Sequence, residues 1–454
     1  MAGPPLMAIG DSLFNGVRSL TIDAELASWS APAQLAKALG VPSFASPDYP
    51  RNVVINFEKW LTEILDIPGV LADLSSNIAF WNTQPKSKLA QFDNIAIAST
   101  TWSDMTSRTW KTAQAEIEQI NHLVAAGQTT YNDNLGQLFF AFNTRFILNP
   151  TGDPNTPALT PLEIVAARKP QRLVISIGAN DGLWPMAFMS AVSPGFNKAD
   201  GVYGPAQVAA AQAFIAALKA LPPEVEHIYP NTLPLPSTVP NMMPVDDDFS
   251  NKPGPAGFFP QYENRFGFNY GQLTAAQMAV NNQTVIDAQT FLMGLVGADP
   301  RIHFVPTEQM LLAYDFKTNA AGRQIPVPGD IELNNLMIDA GTDVTTMDDF
   351  WWGGFAGLDG MHPTLVGYNR MAQTILDTIL ASEPGLRPTG ALPTIAEAFA
   401  ADTLLTHLPN DWDVLLYAWR DARLDFHIGA PPPVFSVAGG RMQSLMKLVQ
   451  FKVH

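Results

Sequence analysis

Residues 10–16 read Gly-Asp-Ser-Leu-Phe-Asn-Gly and follow a short apolar run, Leu6-Met7-Ala8-Ile9. The apolar run predicts a buried β-strand, so Ser12 lies just past a strand end. A serine between glycines at such a point can present its hydroxyl to a substrate as a nucleophile. The same serine could simply cap a helix, so the choice depends on the rest of the chain.

The composition is that of a globular protein. The chain has 454 residues, of which 47% are hydrophobic and 15% are charged, and these proportions disfavour a disordered chain. The formal net charge of −16 repels phosphate backbones, so nucleic acid is not expected as a partner. A small-molecule or lipid ester that carries no negative charge is compatible with this charge.

The sequence also limits the chemistry and the compartment. It contains no cysteine, which excludes disulfides, thiolate catalysis and Cys-based zinc sites. No run of 18 apolar residues occurs, so no transmembrane segment is expected. Met1-Ala2-Gly3 leads almost directly into the first strand, which leaves no room for a signal peptide. We therefore expect a cytoplasmic protein, or a secreted or periplasmic one whose signal peptide has been removed. The oligomeric state cannot be inferred.

Strand and helix patterns alternate along the chain. Such alternation predicts an α/β fold with a parallel sheet covered by helices on both faces. Helical patterns cover 205–221, 274–297 and 364–381. The predicted core strands are five apolar runs: Leu6–Ile9, Asn94–Ala98, Arg172–Ile177, His227–Pro230 and Ile302–Pro306.

The intervals between these elements are too long for a minimal fold of this kind. We predict a catalytic region over 1–385 and a mainly helical C-terminal extension over 386–454, packed on the core. Long loops of this type commonly form lids or binding loops, although packed irregular structure is an equal alternative. The predicted insertions are 41–90, 101–165, 233–272 and 307–357.

A nucleophilic serine needs a base, and His362 is the best placed of the seven histidines. It follows Gly357-Leu358-Asp359-Gly360-Met361, a loop directly before a predicted helix. Asp359 precedes it by three residues, a spacing that lets the carboxylate fold back and orient the imidazole. Taken singly, both could be ordinary surface-loop residues.

The attacked carbonyl oxygen needs preorganised donors. Asn180 follows the strand pattern 172–177 within Gly178-Ala179-Asn180-Asp181-Gly182, at the edge of the sheet where ligands bind in open parallel sheets. Its simpler interpretation is a turn asparagine. Further donors would be the backbone N–H of Ser12 and an N–H after the strand pattern 94–98.

These motifs, in this order, resemble those of the GDSL, or SGNH, hydrolase family. The matching positions are Ser12 in Gly-Asp-Ser-Leu, Asn180 in Gly-x-Asn-Asp, and Asp359-x-x-His362. The resemblance covers roughly 5–385 and implies a flavodoxin-like three-layer α/β/α fold with a five-stranded parallel sheet. It also implies an esterase or lipase in which Ser12 is the nucleophile, His362 the base and Asp359 its partner.

One position departs from the family pattern. The family usually has Asn-x-Ala-x-x-Gly in the second block, whereas Asn94-x-Ala96-x-x-Ser99 stands here. By the resemblance, Ser99 would supply the third oxyanion donor, beside the Ser12 N–H and the Asn180 side chain. A serine retains the N–H, but it would be strained if this position needs φ > 0.

The substrate is left open. Aromatic residues before the predicted catalytic aspartate, Trp351, Trp352 and Phe355, suggest contacts with a fairly hydrophobic ester. The proposed reaction passes through an acyl-enzyme and needs no metal or organic cofactor. Alternatives are an acyltransferase with the same triad, a carbohydrate acetylesterase, or a binding module with a disused site.

Overall fold

The computed structural model describes residues 3–62, 67–199, 201–245, 257–264, 272–315, 317, 325–327, 331–337 and 354–406. The described chain is a mixed α/β protein built around a small parallel sheet. This sheet consists of β1 (Leu6–Gly10), β2 (Arg172–Ser176) and β3 (His227–Pro230), in the order β1-β2-β3. All of β1 and β2 is buried, as the continuous apolar runs of a sheet covered on both faces require.

Two further predicted strands lie along the edges of this sheet. Beside β1, Ile95 N–H donates to the Ala8 carbonyl and Ile97 N–H to the Gly10 carbonyl. Beside β3, the Val305 N–H donates to the Pro230 carbonyl at 2.8 Å. Both pairings are parallel but form isolated bridges.

The expected five-stranded sheet is therefore three-stranded in its regular part, within the described residues. One reason is visible at the edge beside β3. There the Ile228 and Thr232 N–H groups donate to the carbonyls of Arg301 and Val305, whereas Pro230, between them, has no N–H to add to the ladder.

Helices account for most of the remaining described structure. The predicted helices 205–221, 274–297 and 364–381 match three observed helices, Pro205–Lys219, Ala275–Val296 and Leu365–Ser382. Threonine side chains cap the last two at their N-termini. The helices are α1 (Ser12–Asn15), α2 (Ala24–Ser28), α3 (Ala31–Leu39), α4 (Phe57–Thr62), α5 (Ile67–Asn82), α6 (Asp104–Ser107), α7 (Trp110–Ala125), α8 (Leu135–Leu148), α9 (Pro161–Arg168), α10 (Trp184–Phe188), α11 (Pro205–Lys219), α12 (Ala275–Val296), α13 (Thr307–Ala313), α14 (Leu365–Ser382), α15 (Ile395–Ala401) and α16 (Thr403–Thr406).

The predicted insertions contain regular structure. Helices α4 and α5 lie in 41–90, and α6 to α8 lie in 101–165, which also contains the start of α9. Two small sheets occupy the later insertions. They are the antiparallel β4 (Met242–Pro244), β5 (Gln261–Asn264) and β6 (Gln272–Thr274), and the mixed β7 (Ile325–Val327), β8 (Ile331–Met337) and β9 (Gly354–Ala356).

The C-terminal extension is described up to residue 406 and is helical where described. Ala398 of α15 and Leu404 and Leu405 of α16 are buried in the same hydrophobic cluster as the central sheet. This part of the predicted extension therefore packs on the core. The remainder, 407–454, lies outside the described residues. Within the described part of the chain, no helix is both long and apolar enough to cross a membrane.

Candidate active site

The loop after β1 places Ser12 at the start of α1. Gly10 has φ = 136°, and a Cβ there would lie 1.9 Å from the Ser176 carbonyl oxygen, so glycine is required for β1 and β2 to approach so closely. Asp11 caps α1, because its Oδ1 accepts the Leu13 N–H at 3.1 Å. Ser12 is 9% exposed and lines a pocket.

Asp359 and His362 form a buried pair, as their spacing predicts. His362 Nδ1 lies 2.5 Å from Asp359 Oδ2, and the two residues are 3% and 0% exposed. The loop folds back because Asp359 Oδ1 also accepts the backbone N–H groups of Met361 and His362, at 3.0 Å and 2.9 Å. The imidazole orientation is thus fixed through one ring nitrogen, which leaves Nε2 for proton transfer.

The carboxylate of Asp359 is held in its ionised form. Burial acts to raise its pKa, but the charge of His362 and the hydrogen bonds from His362 and Met361 outweigh burial and lower the pKa below the ordinary value. The N–H of Leu20 adds a further hydrogen bond to Oδ2 at 2.9 Å. A buried negative charge at this point can stabilise a protonated imidazole.

The loop that carries His362 borders the pocket that Ser12 lines. The residues on either side of His362, Met361 and Pro363, line the same pocket as Ser12. The Tyr368 hydroxyl of α14 contacts the segment that carries Ser12. It donates to the Val17 carbonyl and, at 3.5 Å, to the Ser12 carbonyl. Within the described residues no hydrogen bond joins the Ser12 hydroxyl to His362, and catalytic hydrogen bonds often form only when a substrate binds.

Three chain segments converge where an oxyanion would be held. Thr100 connects them, because its hydroxyl donates to the Gly10 carbonyl and its own carbonyl accepts Asn180 Nδ2, at 2.8 Å and 2.9 Å. Asn180 uses one amide hydrogen in this bond and retains the other. Asn180 and Ser12 both line the pocket.

Ser99 adopts a backbone conformation that glycine adopts most readily. Its φ is 69°, in the left-handed region where a residue other than glycine is strained by roughly 1–2 kcal/mol. Among the described residues, neither the Ser99 N–H nor the Ser12 N–H has a hydrogen-bond acceptor. With serine at position 99, both backbone donors therefore remain available.

The pocket at Ser12 is almost entirely apolar. Its space amounts to about 690 Å³, including open solvent at the mouth. The polar residues that line it are Ser12, Asn180 and Thr307. The others are Leu13, Ala179, Leu183, Trp184, Phe188, Pro234, Val239, Pro240, Met310, Leu311, Phe355, Met361, Pro363 and Met371. Among the described residues no charged side chain lines this pocket, which suits an uncharged hydrophobic group.

Two further carboxyl groups lie behind the site. Burial raises the pKa of Asp11 to about 7, although the Leu13 N–H, Ser176 and the charge of His362 act in the opposite direction. Burial likewise raises the pKa of Asp181 to about 8, against the effect of the Trp102 N–H. Within the described part of the chain, no three His, Cys, Asp or Glu side chains are grouped closely enough to hold a metal ion.

The predicted site residues are distributed as follows. The structure places Ser12 and Asn180 on one pocket, pairs Asp359 with His362 beside it, and puts Ser99 in the adjoining turn. Phe355 lines the pocket and is 3% exposed, whereas Trp351 and Trp352 lie outside the described residues.

Several contacts were not anticipated from the sequence. Thr100, Tyr368 and Leu20 each contact a candidate site residue. Tyr368 belongs to an ordinary apolar helix pattern, and the other two lie in loops that carry no recognisable motif. For Thr100 the sequence does hold one indication, because Ser99-Thr100 directly follows a predicted strand and so lies at the edge of the sheet where the site was expected.

Comparisons with known proteins add no relative. The sequence matches no protein-family model. No curated protein and no solved structure resembles it significantly.

Proposed function

We propose that this protein is a serine-dependent carboxylic ester hydrolase that acts through an acyl-enzyme. The observation that carries the proposal is the buried Asp359–His362 pair, in which His362 stands between Met361 and Pro363, two residues that line the same pocket as Ser12 and Asn180. A nucleophile, an oriented base and amide donors are the parts that acyl transfer requires. Each residue type has an ordinary structural use, but their meeting at one pocket favours catalysis.

The reaction would proceed in two steps. His362 Nε2 takes the Ser12 proton as the hydroxyl oxygen attacks the ester carbonyl, and the Asp359 carboxylate stabilises the resulting imidazolium. The oxyanion is held by the backbone N–H groups of Ser12 and Ser99 and by the side-chain amide of Asn180. His362 then protonates the departing alcohol, and a water activated by His362 cleaves the acyl-enzyme. No metal or organic cofactor is needed.

The strand arrangement supports a fold of the SGNH, flavodoxin-like type. The two edge segments extend the sheet to the order 94–97, β1, β2, β3, 302–305. In chain order this is 2-1-3-4-5, the order of flavodoxin-like doubly wound sheets, which bind ligands at the carboxyl ends of their strands. Ser12 and Asn180 both follow such ends.

The pocket favours a hydrophobic acyl group over acetyl. Of the described residues that line it, three are polar, and one of these is the proposed nucleophile. A carbohydrate acetylesterase would need polar groups to orient sugar hydroxyls. A small-molecule or lipid ester with an extended acyl chain is therefore the proposed substrate class.

The decisive experiment compares Ser12→Ala with the unaltered protein. Ser12→Ala should abolish cleavage of p-nitrophenyl butanoate and labelling by a fluorophosphonate probe, with the fold unchanged by circular dichroism. Ser107→Ala, at an exposed serine on α6, is the matched control. Undiminished hydrolysis by folded Ser12→Ala would refute the proposal, as would a lack of reaction with both reagents in the unaltered protein.

An acyltransferase would use the same residues. The two reactions are separated by adding short alcohols and analysing the products. If transfer to the alcohol dominates at low alcohol concentration, the enzyme is an acyltransferase, whereas acid as the main product identifies a hydrolase.

A further inference from the structure

A buried ionic cluster lies close to the candidate active site without touching the pocket. Arg18 makes a two-pronged contact with Glu58 of α4, through Nε and Nη2 at 2.8 Å and 2.7 Å. Its Nη1 lies 2.7 Å from Asp402 Oδ1, and Nη2 donates to the Thr403 hydroxyl at 2.9 Å. The Arg18 and Asp402 side chains are only 3% and 0% exposed.

One arm of the cluster leads to Asp359 through a tight turn. Arg18 and Thr21 exchange two backbone hydrogen bonds, at 2.9 Å and 2.8 Å. Between them, Ser19 and Leu20 have φ values of 49° and 54°. The turn directs the Leu20 N–H at Asp359 Oδ2, the oxygen that also contacts His362 Nδ1. The Ser19 hydroxyl oxygen accepts the Leu358 N–H at 2.9 Å, next to Asp359.

This turn is strained. Two consecutive left-handed residues normally call for glycine or asparagine, whereas serine and leucine stand here. Such a backbone conformation persists only when contacts with the surrounding structure hold it in place. The Arg18 guanidinium, fixed between two carboxylates, supplies an anchor at the first residue of the turn.

The other arm leads to the segment after His362. Asp402 Oδ2 accepts the N–H of Leu365, the first residue of α14, at 2.6 Å. Oδ1 accepts the N–H groups of Leu404 and Leu405 at 3.0 Å and 3.1 Å. A single buried carboxylate therefore fixes the chain three residues after His362, and it also holds the arginine of the turn that contacts Asp359.

We propose that Arg18 and Asp402 are positioning residues for the His362–Asp359 pair, and that the C-terminal segment 395–406 is a structural part of the active site. This inference rests on the proposed function. Neither residue touches substrate. Asp402 accepts the N–H of Leu365, which follows the loop 357–362, and it holds Arg18, whose turn contacts Asp359 and Leu358. It therefore sets the position of this loop from both sides.

The test compares two isosteric variants of buried carboxylates. Asp402→Asn removes the charge that holds Arg18, and Glu383→Gln removes the partner of Arg172. Glu383 and Arg172 form a similarly buried pair, 9% and 10% exposed, in which Arg172 begins β2. Glu383 is thus at the opposite end of the sheet from Ser12.

Asp402→Asn should lower kcat about 10- to 100-fold, because displacement of catalytic groups by even 1 Å can reduce the rate that much. Its KM should change by less than about 2-fold, since the pocket itself is untouched. Glu383→Gln should leave kcat unchanged even if its melting temperature falls as much as that of Asp402→Asn. Arg18→Lys keeps the charge but cannot bridge Glu58 and Asp402, and it serves as the second variant if Asp402→Asn does not fold.

A spectroscopic readout is independent of turnover. The proton between His362 Nδ1 and Asp359 should give a strongly downfield proton NMR signal. Asp402→Asn and Arg18→Lys should shift or broaden this signal, and Glu383→Gln should not. If folded Asp402→Asn keeps both kcat and the signal, the positioning role is wrong while the proposed hydrolase stands. If the unaltered protein shows neither turnover nor fluorophosphonate labelling, both proposals fail together.

Discussion

The backbone N–H of Leu20 donates to Asp359 across 339 positions of chain, at 2.9 Å. The bond joins the turn after α1 to the loop that carries His362. Because Asp359 is also bonded to its own loop, its carboxylate has little freedom to rotate. The orientation of the imidazole is therefore a property of several segments rather than of one motif.

Replacement of Asp359 by asparagine tests the role of this carboxylate. Asparagine has no charge to balance the imidazolium, and its NH2 group can donate to Nδ1 and so stabilise the wrong imidazole tautomer. The kcat for p-nitrophenyl butanoate should therefore fall by about 10³- to 10⁴-fold. Fluorophosphonate labelling should slow in parallel. Asp377→Asn, on the exposed face of the same helix that follows His362, is the control. A decrease of less than about 10-fold would remove Asp359 from the mechanism.

Tyr368→Phe tests the contact between α14 and the segment 12–17 that begins with α1. The change removes a hydroxyl that donates to the buried Val17 carbonyl, so the free energy of unfolding should decrease by about 1–3 kcal/mol. Urea denaturation measures this loss. The kcat should fall only a few-fold, because the Ser12 contact at 3.5 Å is weak. A loss of activity comparable to that of Asp359→Asn would instead give Tyr368 a direct catalytic role.

Ser99→Gly tests whether the serine is needed or only tolerated. Glycine adopts the observed φ of 69° without strain, so the variant should be as stable as the unaltered protein or more stable, by up to about 1 kcal/mol. Its kcat should stay within about 2-fold, because the N–H is retained. Ser99→Ala keeps the strain and removes only the hydroxyl, and it should also remain active. A large decrease in kcat in both variants would show that the hydroxyl itself takes part.

The sequence predicted the parts of the site that depend on local pattern. Ser12 and Asn180 follow short buried strands, and Asp359 precedes His362 by a spacing that a turn can close. The consequence of serine at position 99 also followed from one residue, and its left-handed φ agrees with that reasoning. In each case the relevant interactions span a few residues.

The contacts that were missed are long-range. Asp402 and Arg18 are 384 positions apart, and no periodicity or motif spacing relates them. The sheet edges were also predicted as regular strands, because an apolar run does not reveal which backbone groups find a partner on the neighbouring strand, and Pro230 supplies no N–H there. Which residues line the pocket depends on how the insertions pack, and no local pattern contains that information.

Asp181→Asn tests the pH dependence of stability. Burial raises the pKa of Asp181 from 3.8 to about 8 in the folded protein, while the unfolded chain ionises near the ordinary value. The unfolded state thus gains stability relative to the folded state as the pH rises from about 4 to about 8. Asparagine does not titrate and can still accept the Trp102 N–H. The free energy of unfolding of the variant minus that of the unaltered protein should become more positive over this range, as measured by urea denaturation. A difference that is constant with pH would contradict the shift, and Asp377→Asn is again the control.

The apolar pocket predicts a dependence on acyl chain length. Each buried methylene contributes about 0.8 kcal/mol, so kcat/KM should rise roughly 3- to 4-fold per methylene from acetate through butanoate to hexanoate until the pocket is full. Leu311→Asn introduces an amide into the pocket wall and should flatten this rise while changing acetate hydrolysis little. The adjacent Leu312 is 40% exposed and does not line the pocket, so Leu312→Asn should keep the full rise. If the acetate ester is the best substrate of the unaltered protein, the natural acyl group is short, and this result supports the acetylesterase alternative. If the two variants behave alike, the acyl chain does not bind along Leu311.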